Sequence, residues 1–191
     1  MPTLLIVAEA PADAACVRTA LAASSYRLPD DVVEPQALDA EVVRVAPDVI
    51  IACTASPSAT MLQSLHALAQ IAPKPVVMFA SDTRRHAIRR AVDAGVAAYV
   101  VDGWGQERIG AIIEAATARF DVYQSLRAEL QKTQTQLAER KLVEKAKGLV
   151  MQKRGLSENE AYSGLRRMAM DQNLTLAEVA RRVIAMAHLL A

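Results

Sequence analysis

Over the first 120 residues, short β-branched runs alternate with longer amphipathic stretches, and this alternation leaves few folds open. LLIVA (4–8) precedes a helical pattern from Pro11, and a weak strand near Val32–Val33 precedes another from about Gln36. DVIIAC (48–53), PVVMFA (75–80) and AAYVV (97–101) are followed in turn by patterns over 58–71, over 83–93 and from about Gln106. Five βα units in series predict an α/β domain, a five-stranded parallel, doubly wound sheet with helices on both faces. With 191 residues, 52% of them apolar, the chain can bury a sizeable core. Beyond residue 120 no strand candidate appears, no proline follows Pro75, and no Gly/Ser-rich linker separates the halves, so the remainder reads as helix.

Several function classes are excluded early. MPTLLIVAEA has no basic n-region, and its apolar run, Leu4 to Ala8, is too short for a signal-peptide core or a membrane span. A cytoplasmic location is expected. Cys16 and Cys53 have neither metal-ligand nor redox spacing, and with His66, His86 and His188 they make no metal site. Both cysteines are expected to be free thiols, and no cofactor is expected. No nucleophile–base pair and no phosphate-cradling glycine loop suggests an enzyme.

The charge is unevenly divided. Residues 1–120 hold 10 basic and 13 acidic side chains, whereas residues 121–191 hold 12 basic and 8 acidic. The excess is concentrated in 139–167, where Arg140, Lys141, Lys145, Lys147, Lys153, Arg154, Arg166 and Arg167 face Glu139, Glu144, Glu158 and Glu160. Such a split suggests an acidic partner for the tail, and it is also what an ordinary solvated helical surface would show. In helical projection Leu142, Val143, Ala146, Leu149 and Val150 share an apolar face. Lys141, Lys145 and Gly148 lie opposite, flanked by Arg140, Lys147 and Arg154. A glycine inside a helix costs about 1 kcal/mol, so Gly148 marks either a close approach to the backbone or a packing site.

Three helices are delimited by local signals. The first is predicted as one long helix from about 106 to 153, on the order of 70 Å at 1.5 Å per residue. Within it Tyr123, Leu126, Leu130, Thr133 and Leu137 recur at alternating steps of three and four, a short heptad seam that predicts a coiled-coil dimer or a helix packed back on its own domain. Arg154-Gly155 ends it. Ser157 with Glu160 and Thr175 with Glu178 form capping boxes for the two helices that follow. Ala161, Tyr162, Leu165, Met168 and Ala169 form one face, and Leu176, Val179, Ala180, Val183, Ile184, Ala187 and Leu190 another, enough to close a small three-helix bundle. The expected division is 1–120, 121–139 and 140–191.

PDVIIACTASP (47–57), PVVMFAS (75–81) and GVAAYVVDG (95–103) resemble a response-regulator receiver domain of the flavodoxin-like type. The resemblance implies a phosphorylation site at the carboxyl ends of the strands, where doubly wound sheets place their ligands. By motif, Ala8 and Glu9 stand for its acidic Mg²⁺ pair, Cys53 for the phospho-accepting aspartate, Ala80 for the hydroxyl and Asp102 for the lysine. One carboxylate cannot build a Mg²⁺ site, cysteine does not take the aspartate's phosphoryl group, and Asp102 puts negative charge where the phosphoryl anion needs positive. The implied receiver is inert to phosphorylation. Cys53 is then either a structural thiol or, given a nearby cation, a redox sensor.

AKGLVM (146–151), EAYSGLRRMAM (160–170) and LTLAEVARRVI (174–184) resemble the ANTAR domain, a three-helix RNA-binding module of bacterial antiterminators. Ala146, Lys147, Gly148, Met151, Ala161, Tyr162, Leu165, Arg166, Ala169, Val179 and Ala180 match its pattern. With SP at 56–57 and LRAEL and LAERK across 126–141, the whole chain is similar to the nitrate/nitrite-responsive antiterminators, and more distantly to those of amidase operons. The resemblance implies a transcription antitermination factor that binds paired RNA hairpins in a leader transcript. It also implies control by an inhibitory nitrate-sensing protein. Arg140, Lys141, Lys145, Lys147, Gly148, Arg154, Tyr162, Arg166 and Arg167 become the candidate RNA face, although Tyr162 equally suits a small core. A homodimer would offer one module per hairpin. A DNA-binding regulator or a protein-binding adaptor would use the same basic helices.

Overall fold

The computed structural model describes residues 1–22, 24, 26–28, 31–101 and 108–189. They divide into two units, Met1–Gln124 and Ser125–Ala191. In the first, β1 (Leu4–Ala8), β2 (Val49–Thr54), β3 (Val76–Ala80) and β4 (Ala98–Val101) form a parallel sheet in the order β1-β2-β3-β4. Helices α1 (Pro11–Leu21), α2 (Leu38–Val45), α3 (Ala59–Ile71), α4 (Arg85–Asp93) and α5 (Ile109–Arg154) follow the strand runs, with a single 3-10 turn, Pro35–Ala37, before α2.

Every residue of β1, β2 and β3 is buried, as in a sheet covered on both sides. The two-residue period divides them cleanly. Leu5, Val7, Ile50, Ala52, Val76 and Met78 pack under α2, α3 and α4 through Leu38, Met61, Leu65 and Ala91. Leu4, Ile6, Val49, Ile51, Val77 and Phe79 pack under α1 and the start of α5 through Ala14, Val17, Ile109 and Ile113. The architecture is doubly wound as expected.

The strand count is corrected from five to four among the described residues. Val33 donates its N–H to the Ile6 carbonyl (2.8 Å) and its carbonyl accepts from Ala8 (2.9 Å), one isolated parallel bridge at the free edge of β1. The ladder cannot lengthen, because Pro35 has no N–H to donate and instead opens the 3-10 turn.

The second unit consists of the C-terminal part of α5, α6 (Glu158–Gln172) and α7 (Leu176–Leu189). Gly155 takes φ +64° to end α5, a conformation that favours glycine. Ser157 and Glu160 cap each other's backbone in a complete capping box, and Thr175 with Glu178 repeats it. The core is Ala146, Leu165, Ala169, Val179 and Ala180, edged by Leu142, Val143, Val150, Leu174, Leu176, Val183 and Ile184. Three of its five fully covered residues are alanines, so close approach of backbones replaces bulk, and Leu165 is its largest buried side chain.

Leu165→Ala is therefore expected to cost this unit about 2–5 kcal/mol, a large share of a small domain's stability. Far-ultraviolet circular dichroism should show early loss of helical signal on heating, and an unchanged melt would mean that α6 is held by something else.

Candidate nucleic-acid interface

At the carboxyl edge of the sheet, register brings the expected phosphorylation positions together. Ala8 pairs with Cys53, Cys53 with Phe79, and Thr54 with Ala80. Ala8, Cys53 and Ala80 are all buried, and Glu9 is exposed. Asp102 lies outside the described residues. Thr54 Oγ1 donates to Glu9 Oε2 at 3.4 Å and to the Ser56 carbonyl at 3.1 Å. Burial, aided by Asp13 and Cys16, pushes the Cys53 thiol up to about 12. A thiol so protonated is neither nucleophile nor metal ligand.

Beside this edge lies a polar cluster that the sequence reading missed. Asp82, buried, accepts from Ser56 Oγ (2.7 Å), the Arg84 amide (2.9 Å), Arg84 Nε (3.0 Å) and Arg84 Nη2 (2.7 Å). Tyr99 Oη donates to the Asp82 carbonyl at 2.7 Å. The Arg84 guanidinium first, then Ser56, holds the Asp82 carboxyl well below the usual carboxylate range. The carboxylate is saturated, and the loop between β3 and α4 is tied to β2 and β4. The signal in sequence was only Asp82-Thr83-Arg84; the Ser56 and Tyr99 partners come from the segment after β2 and from β4.

The helical unit sorts its cations into two kinds. Arg140, Lys141, Lys145, Arg154, Arg166 and Arg167 are exposed, and no carboxylate pairs with them among the described residues. Lys147 differs from the solvent-directed cation expected of it. Its ammonium bridges Glu144 Oε2 (2.6 Å) and Glu158 Oε1 (2.7 Å), joining α5 to the first residue of α6, and only 11% of its side chain is exposed. These bonds, Glu144's first, raise its pKa, and Lys147 lowers that of Glu158. Glu144 was visible three residues upstream. Glu158 faces it only because Gly155 turns the chain.

Tyr162 is 44% exposed, so it is a surface residue with Arg166 one turn later. Gly148 is exposed too, and a Cβ built there meets nothing within 4 Å. Packing inside the chain does not explain it. Along α5, Tyr123, Leu126, Leu130 and Leu137 are also exposed, Leu126 by 63%, while Thr133 Oγ1 turns back to the Glu129 carbonyl.

Residues 131–184 match the ANTAR domain family. Over 188 residues, 96% of this chain and 90% of the relative, the sequence is 30% identical to the transcriptional regulatory protein PdtaR of Mycobacterium tuberculosis. This chain belongs to the ANTAR family of transcriptional regulators. The ANTAR match begins within α5, so that helix supplies the first segment of the family's module as well as a cover for the sheet. A shorter similarity, 43% identity over 61 residues, links the ANTAR regulator to the nitrate regulatory protein of Klebsiella oxytoca, of which it spans 15%. Solved structures share the receiver-like fold: a pilus assembly-related protein of Burkholderia pseudomallei (TM-score 0.55, 17% identity, 62% of this chain and 91% of that one) and the chemotaxis protein CheY4 of Vibrio cholerae (0.52, 17%, 61% and 98%). Among the described residues no helix is long and apolar enough to cross a membrane.

Thiol reactivity checks the account of the sheet edge. In the native ANTAR regulator a disulfide reagent at mildly alkaline pH is expected to label exposed Cys16 and spare Cys53, which reacts only after unfolding. Prompt native labelling of both would contradict the buried thiol.

Proposed function

We infer that this ANTAR regulator is a cytoplasmic RNA-binding antitermination factor that grips hairpins in nascent leader transcripts with its helical unit. The observation that carries this reading is that Arg140, Lys141, Lys145, Arg154, Arg166 and Arg167 are exposed and pair with no carboxylate among the described residues, on the two helices that also expose Tyr162 and Gly148. Folded RNA is held through phosphates and 2′-hydroxyls, and its splayed loop bases stack on aromatic rings or guanidinium planes. Arg140, Lys141, Lys145, Arg154, Arg166 and Arg167 supply charge, Tyr162 with Arg166 supplies a stacking surface, and Gly148 admits a phosphate or ribose close to α5. Lys147 serves by joining α5 to α6, so its contribution to binding is indirect.

The exposed seam Tyr123, Leu126, Leu130 and Leu137 supports a homodimer through α5, which would present two modules to two hairpins and raise the effective concentration for the second contact. Control passes to a protein partner in this reading, because the sheet edge offers buried Ala8, Cys53 and Ala80 in place of phosphorylation chemistry. The assignment to nitrate or nitrite assimilation, with an inhibitory nitrate-sensing partner, draws its support from the 61-residue similarity to the nitrate regulatory protein.

Titration of tandem stem-loop RNA tests the grip. Arg166→Ala is expected to weaken binding several-fold and flatten the logarithmic salt dependence by about one. Gly148→Ala is expected to raise stability by about 1 kcal/mol, since the added methyl meets open space, and yet to weaken RNA binding. Unchanged affinity in both variants would remove this surface, and tighter binding to duplex DNA of equal charge would replace RNA by DNA. Incubation with acetyl phosphate and Mg²⁺ should add no phosphoryl group detectable by intact mass; a stable adduct would restore phosphorylation as the control.

A further inference from the structure

Helix α4 carries charge in an order that works against its own stability. Arg84 is its N-cap and Arg85 its first residue, where the helix dipole disfavours cations, and its one carboxylate, Asp93, stands at the last position, where the dipole disfavours anions. No acidic residue occupies the first turn. Arg85 and Arg89 fall four residues apart on the outer face, a spacing at which like charges repel. Ala87 and Ala91 are buried against the sheet, while Arg85, His86, Arg89 and Arg90 are exposed. Four of the ten basic residues of an otherwise acidic first unit are thus gathered within seven positions.

Arg84 is spent on Asp82, and the carboxylate that stays exposed on α4 is Asp93, four residues after Arg89. Arg85, Arg89 and Arg90 meet no carboxylate among the described residues. Apolar surface on α4 includes Val92, 56% exposed, and beside it lies a shallow groove between α3 and α4 floored by Leu62 and Ala67. A protein interface would want an apolar core with aromatic anchors, and insertion into lipid would want a free apolar helix face, which α4 has buried. Guanidinium forks without lysines fit phosphate oxygens, to which arginine can donate two parallel hydrogen bonds.

We propose that the outer face of α4 is a second RNA-contacting surface, in which Arg85, Arg89 and Arg90 hold the phosphate backbone of the transcript that the helical unit grips. The inference rests on the RNA-binding reading above and adds to it the receiver-like unit as a participant. Local repulsion among the arginines is relieved when phosphates come between them, which gives the helix a reason to keep charges that destabilise it alone. Joined in one chain, the two units meet the same transcript at high effective concentration, so modest contacts at α4 suffice.

The test uses the full chain and a fluorescein-labelled RNA of two stem-loops joined by a single-stranded spacer, titrated by anisotropy across a salt series. Replacing Arg85, Arg89 and Arg90 together by Gln should weaken binding about tenfold or more and lower the salt slope by roughly two to three. Replacing them together by Lys, which keeps charge but not the fork, should retain the slope and recover only part of the affinity. Wild-type affinity and slope in the Gln variant, with Arg166→Ala still weakening binding, would overturn the α4 proposal, leave the helical grip standing, and turn attention to an acidic protein partner. Equal losses of salt slope in the Gln and Lys variants would overturn it as well, since the Lys variant keeps the charge that phosphate contacts need. Failure of the unaltered chain to bind the RNA at any salt would sink both readings.

Discussion

Burial on both faces of the parallel sheet runs through β1, β2 and β3 without a break, and it continues to the carboxyl edge where a receiver would keep its chemistry. Ala8, Cys53 and Ala80 close that edge with apolar or neutral atoms. Desolvation there makes ionising a thiol costly, which is why Cys53 stays protonated. The same requirement for a cover on each face draws the start of α5 onto the sheet through Ile109, Ile113 and Ala116. One helix therefore belongs to the first core at its beginning and to the second, through Ala146, near its end.

Polar groups near the edge are arranged for fixity. Asp82 is saturated by Ser56 and Arg84, and Tyr99 is bound to the Asp82 carbonyl. A buried carboxylate so fully paired is costly to disturb, so the loop leading into α4 is held in one arrangement. That fixity presents the arginines of α4 on a constant surface. In the helical unit the same sorting recurs: Lys147 is spent on Glu144 and Glu158, and its neighbours in sequence remain available. Arg84 and Lys147 thus fasten elements to one another, whereas Arg85 and Lys145 pair with no carboxylate among the described residues.

Much of this was legible in advance because it depends on short-range rules. The short apolar runs LLIVA and VIIACT, the capping boxes at Ser157 and Thr175, and the glycine stop at Gly155 are each decided within a few residues, and each appears where local physics puts it. The ANTAR pattern was readable for the same reason, since its alanines and Leu165 mark one face of each helix. The Val32–Val33 run shows the limit: its β-branched residues point to a strand, and Pro35 leaves room for only one bridge.

By itself, then, the sequence determined the doubly wound class, the helical tail and which residues could carry charge to a nucleic acid, because periodicity, capping and residue chemistry are local properties. Only the tertiary structure decided which charges are free. Lys147 and Lys145 look alike along the chain, and Arg84 looks like Arg85. Their fates diverge because Glu158 arrives from beyond a turn, and because Asp82, anchored by Ser56 from after β2, stands within reach of Arg84. Electrostatic pairing acts across a few ångströms of space, and which carboxylate comes that near is settled by how the helices and strands pack.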